Sequence, residues 1–80
     1  MGDKVLKTVR DMLSGQSGRV MQIHGGKGIA DRLYAMGITP GRRITKISSM
    51  FMRGPVTLRV GQMQVAIGYG MAGKIVVEVE

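Results

Sequence analysis

The chain of 80 residues carries 12 lysines and arginines against 5 aspartates and glutamates, a formal net charge of +7. It has no cysteine, so neither a disulfide nor a thiolate metal site can form. No apolar run nears the ~20 residues that a helical membrane span needs, and "MGDKVLK" is charged too early for a signal peptide. A single soluble domain over residues 1–80, in the cytoplasm, is the expectation. The positive charge suits either an anionic partner or a plain solvated surface, and both readings stand.

Residues 5–15 admit two readings. Val5, Val9, Met12 and Leu13 could form one amphipathic helix ending at Gly15. Alternatively "KVLK" is a short strand, and Thr8 caps a brief helical turn with Asp11 as the other half of a capping box. "GRVMQIH" then carries Val20, Met21 and Ile23, a strand whose alternation is imperfect, as a β-bulge would make it. The following "HGGKG", with Gly26 at its centre, reads as a turn. Ile29, Leu33 and Met36 fall on one face at helical spacing, which predicts a short amphipathic helix over 28–36.

The exit of that helix is sharply specified. If Gly37 is left-handed, Leu33 and Ile38 take the two positions whose side chains meet in a Schellman closure. Pro40-Gly41 suits the centre of a type II turn. "RRITKISSMF" then begins a strand with two exposed arginines. "MFM" at 50–52 ends that strand beside Arg53-Gly54-Pro55, and is either core packing or a flexible apolar contact surface.

In "PVTLRV", Val56, Leu58 and Val60 alternate with polar positions, and Met63, Val65 and Ile67 do so after Gly61-Gln62. These runs predict a β-hairpin with one apolar face. "GYGMAG" is too broken for more than a loop or a single helical turn. The final "KIVVEVE" alternates again as a strand. Short strands among 13 glycines predict a mainly β fold. It would be a small, partly open barrel of about five strands with one short helix and one or two single helical turns.

Catalysis finds little to work with. His24 is the only histidine, at a strand end beside a Gly-Gly turn. "HGGKG" lacks the spacing of a phosphate loop. Of the carboxylates, only Glu78 and Glu80 share a strand face, and two monodentate oxygens make a loose cation site at best. Met21, Met36 and Met63 fall at expected core positions, as gap fillers rather than ligands. No cofactor, metal site or catalytic residue is expected. Nucleic-acid binding gains from the charge but loses from having only three aromatic rings, Tyr34, Phe51 and Tyr69, to stack on bases.

Taken together, "V..ML.G.SGRV..I.GG..IADRL..MGI.PG..I" from Val9 to Ile44, "GPVTLRVGQMQVAI" with Pro55 at its start, and "A.KIVV" resemble the ferrous-iron-transport protein A (FeoA) family. The resemblance spans nearly all of the chain after residue 7 and favours the strand and capped turn at the N-terminus. It implies an SH3-like barrel and no enzymatic activity. It also implies an accessory, regulatory role on a bacterial membrane ferrous-iron transporter, through that transporter's cytosolic GTP-binding part. The family's acidic residue before the closing Ala is replaced by Met71. With one histidine and five carboxylates the chain is poorly equipped to carry Fe(II), so a protein–protein module is the expectation. Alternatives are a small nucleic-acid-binding barrel or a weak transition-metal-binding regulator. The expected contact surface is the outer side of the helix (Arg32, Tyr34, Ala35) with Met50, Met52 and Arg53.

Overall fold

The computed structural model describes residues 5–49 and 54–80. Six strands form one antiparallel sheet: β1 (Val5–Thr8), β2 (Ser17–Ile23), β3 (Arg43–Ser49), β4 (Val56–Val60), β5 (Met63–Ile67) and β6 (Ile75–Val79). Their spatial order is β1-β6-β2-β3-β4-β5. Helix α1 (Gly26–Ala35) connects β2 to β3, and a single turn, α2 (Tyr69–Ala72), connects β5 to β6. A 3₁₀ turn at Val9–Asp11 follows β1. Six strands stand where about five were expected; β1, the short strand favoured at the N-terminus, forms by pairing Val5 with Val79 through Thr8 with Val76.

Alternation decides which side chains meet. Val20 on β2, Ile44 on β3, Leu58 on β4 and Ile75 and Val77 on β6 all point inward, each at most 1% exposed. Leu33 from α1, Ile38 beyond it and Val9 from the 3₁₀ turn close the same core. Burying such side chains supplies the main driving force for a domain of this size. Close approach of β2 and β6 has its own requirement. A Cβ on Gly18 would lie 2.7 Å from the Glu78 carbonyl oxygen and 3.0 Å from the Val79 Cα, so only glycine fits there.

The imperfect alternation of β2 is a bulge. Val20 faces Val77 but Gln22 faces Val76, which leaves Met21 as the extra residue. Met21 is therefore 47% exposed rather than in the core. Met63 also departs from expectation: it opens the edge strand β5 just after the Gly61-Gln62 turn, where the core has ended, and is 64% exposed. Met36 is half-buried against the core, as a gap filler.

The helix and its exit match the sequence closely. α1 starts two residues earlier than 28, at Gly26, where Gly25 and Gly26 both have positive φ. At its end the Ile38 N–H donates to the Leu33 carbonyl and the Gly37 N–H to the Tyr34 carbonyl, both at 2.9 Å. Gly37 has φ +83°, which completes a Schellman closure. The Arg42 N–H donates to the Thr39 carbonyl at 3.0 Å across Pro40 and Gly41 (φ +90°), a type II turn. That turn is stitched to β2, because the Gly41 N–H donates to the Val20 carbonyl and the Val20 N–H to the Arg42 carbonyl.

The expected capping box does not form. Thr8 makes no side-chain bond to the turn's backbone; its hydroxyl donates instead to Asp11 Oδ2 at 3.4 Å. Three residues of 3₁₀ turn leave too few free N–H groups in line for a reciprocal box.

Candidate interaction surface

Of the expected contact residues, α1 presents three. Leu33 is fully buried, and its burial turns Arg32, Tyr34 and Ala35 outward, all exposed, with Tyr34 at 47%. The Schellman closure and the type II turn fix this helix against β2 and β3, so the exposed face is held in place by backbone bonds. Met50, Met52 and Arg53 lie outside the described residues, whereas Pro55, exposed, leads into β4. Only the helical half of the expected surface is thus placed. His24 is exposed, and its backbone N–H donates to the Lys74 carbonyl at 2.7 Å. Among the described residues, no three His, Asp or Glu side chains gather as a metal site.

A second feature was not anticipated. Lys46 on β3 shares inward parity with Ile44 and is only 3% exposed. Its Nζ donates to the carbonyls of Met12 at 2.6 Å and Arg10 at 3.1 Å, so a cationic side chain satisfies the backbone of the 3₁₀ turn from within. Burial holds its pKa below the ordinary lysine value, opposed in lesser degree by Asp11. The main chains join too: the Gly15 N–H donates to the Lys46 carbonyl and the Lys46 N–H to the Gln16 carbonyl. The signal was present in the sequence, since Lys46 falls two residues after Ile44 on the inward side of a strand. Nearby, the Arg10 guanidinium lies 4.1 Å from the Tyr69 ring centroid and donates to the Tyr69 carbonyl at 3.1 Å.

On the outer face of the sheet the arginines collect. Arg43 and Thr45 project from β3 and Arg59 from β4, directly opposite Thr45. Together with Gly41, Arg42 and Gly61 they line an open cleft of about 390 Å³. Gly61 makes room for Arg42: a Cβ there would lie 2.5 Å from Nη2 of Arg42. At the cleft's rim Arg43 holds the Glu80 carboxylate with two donors, Nε to Oε2 at 2.6 Å and Nη2 to Oε1 at 2.9 Å. This pairing lowers the Glu80 pKa and raises that of Arg43, and Arg19 adds to the pull on Glu80.

Known proteins share this architecture. A crystal structure of an iron uptake regulatory protein (FeoA) superposes with a TM-score of 0.89 at 34% identity, over 95% of this chain and 100% of that one. FeoA of Stenotrophomonas maltophilia, solved with zinc, gives 0.77 at 22% identity over 92% of this chain and 95% of its own. That protein is described as a prokaryotic SH3-domain protein and a candidate ferrous-iron-transport activating factor. A manganese-dependent transcriptional repressor matches all of this chain with 45% of its own length, at 16% identity and a TM-score of 0.86, a likeness of fold alone. No curated protein matches the sequence. The FeoA domain family model matches residues 7–79, and with an SH3-like barrel, the Schellman exit and the hairpin all in place, the chain belongs to the FeoA family.

Proposed function

We propose that the protein is a cytoplasmic accessory subunit of a ferrous-iron transporter, acting by protein–protein contact on the transporter's GTP-binding part. Family membership carries the reading: an iron-transport protein of this fold, in which the described residues gather no metal site, is better suited to bind another protein than to carry Fe(II). The contact uses Arg32, Tyr34 and Ala35 on the exposed side of α1, and also Met50, Met52 and Arg53. A partly exposed tyrosine beside an arginine on a rigid helix has the composition of an interface anchor. The module neither catalyses a reaction nor requires a resident cofactor.

Calorimetric titration into the cytosolic domain of the cognate transporter tests this, with GDP and with a non-hydrolysable GTP analogue. Saturable one-to-one binding is expected, weakened by charge reversal at Arg32 and Arg53. Unchanged affinity in those variants rejects the placement, and retardation of nucleic acid with a steep salt dependence in place of transporter binding rejects the function.

A further inference from the structure

The α1 surface leaves the arginine cleft unused. The cleft joins three guanidinium groups, from Arg42, Arg43 and Arg59, to the Thr45 hydroxyl across two neighbouring strands. We propose that this cleft is a docking site for an acidic polypeptide segment of a partner protein, whose carboxylates pair with Arg42 and Arg59. The proposal rests on reading the chain as an interaction module, but not on the transporter being the partner.

The molecule itself supplies the precedent for the ligand. Glu80 already sits at the rim, and Arg43 grips its carboxylate in the two-donor geometry that guanidinium and carboxylate groups prefer. Arg42 and Arg59 have the same fork-shaped donors, and among the described residues neither has an ion pair or side-chain hydrogen bond. The cleft is therefore one-third occupied by an internal carboxylate, with charge left over for two more. Its position on the outer, solvent-facing side of β3 and β4 makes it shallow and open, accessible to a chain laid across the strands. Thr45 is half occupied, its hydroxyl 2.7 Å from that of Ser17, and retains acceptor or donor capacity.

Glu80 gives the proposal a distinctive signature. As an internal competitor at the edge of the site, it reduces the charge available to an incoming acidic segment. Its removal should tighten binding, whereas removal of a cleft arginine should loosen it.

The test is fluorescence anisotropy of a labelled hexaglutamate peptide with the full chain at low and at physiological salt. The Arg42→Gln/Arg59→Gln double variant is expected to bind at least about tenfold more weakly, as loss of two charge-assisted contacts implies. Glu80→Gln should bind about threefold more tightly, the scale of an exposed ion pair. A double variant of equal charge change elsewhere, Lys7→Gln/Lys27→Gln, should bind as the parent does. The substituted residues are all exposed except Lys7, which is half-buried, and circular dichroism confirms that each variant folds. Equal weakening in the two double variants would assign the affinity to overall charge and overturn the cleft. Absence of saturable binding would overturn it as well. Inorganic pyrophosphate displacing the peptide at lower concentration than unlabelled hexaglutamate would mark a phosphate site and overturn the polypeptide. Failure of the transporter titration alongside success here would remove the transporter as partner and leave the docking site standing.

Discussion

The exit of α1 and the segment from Val9 to Gln16 are both irregular stretches fastened to the same barrel, yet they are fastened in opposite ways. Leu33 to Arg42 is held mostly by bonds that span five residues or fewer: Ile38 to Leu33, Gly37 to Tyr34, Arg42 to Thr39. The earlier segment has local bonds too, Met12 to Val9 and Gln16 to Leu13. Its side-chain ties to the barrel, however, come from far away: the Lys46 amine on the Arg10 and Met12 carbonyls, and Arg10 on Tyr69, 59 positions distant. Local closures are written in residue types that favour particular dihedral angles, such as glycine with positive φ. Long-range ties require only that the fold bring two groups together, and any lysine in the right register can serve.

The comparison breaks most sharply at Lys46. Lys46→Met keeps the length and apolar stem of the side chain but leaves the Met12 and Arg10 carbonyls without their donor. A loss of about 2–4 kcal/mol is expected, since each buried carbonyl left unsatisfied costs roughly 1–3 kcal/mol. Urea unfolding measures it, and amide exchange at Gly15 and Gln16 should accelerate before that of the α1 exit does. Uniform acceleration would mean that the two regions open together, and that their different fastenings have no energetic consequence.

This difference also explains what could be read from the sequence. The hairpin, the helix, its Schellman exit and the bulge in β2 each left a periodic or turn signature in a dozen residues or fewer. The capping box at Thr8 was misread because the true partner of that turn, Lys46, stands 34 to 36 residues away. Met21 and Met63 were misplaced because a bulge and a strand end each shift a side chain out of register, and neither can be located to one residue by alternation alone. Among the surface residues, Arg32, Tyr34 and Ala35 were legible as the back of an amphipathic helix. The arginine cleft was not, since Arg42, Arg43 and Arg59 become neighbours only through the pairing of β3 with β4.

At the helix exit, Gly37→Ala should cost less than loss of Lys46, about 1–2 kcal/mol, the strain of placing a Cβ in left-handed backbone. The added Cβ would also lie 3.3 Å from Val60 Cγ1, so the value should fall toward the upper end. Thermal unfolding of the variant beside Gly41→Ala, where no atom lies within 4 Å of the added Cβ, separates backbone strain from the contact with Val60. Equal losses would assign the cost to backbone alone. Smaller again is Arg10→Met, which retains the side-chain stem over Tyr69 but removes the cation, for an expected ~0.5–1 kcal/mol.

The weakest effects are those of pH, where the buried Lys46 and the exposed Arg43–Glu80 pair share a sign for different physical reasons. Burial lowers the Lys46 pKa below the 10.5 of a free lysine, so between the folded value and 10.5 the unfolded chain binds more protons than the folded one. Stability therefore rises with pH across that window, as the cost of holding a charged amine away from water is relieved. Arg43 lowers the Glu80 pKa. Its contribution is fully present above the unfolded carboxylate value and is lost as pH falls through the folded one, so stability there also rises with pH, but at the acid end and from a favourable interaction rather than a relieved penalty. Urea midpoints between pH 8 and 10.5 should thus climb more in the parent than in Lys46→Met, and those between pH 5 and 2 should fall less steeply in Glu80→Gln. If the alkaline slopes of parent and Lys46→Met coincide, the amine is already solvated when charged, and the tie between the 3₁₀ turn and β3 is an ordinary surface contact.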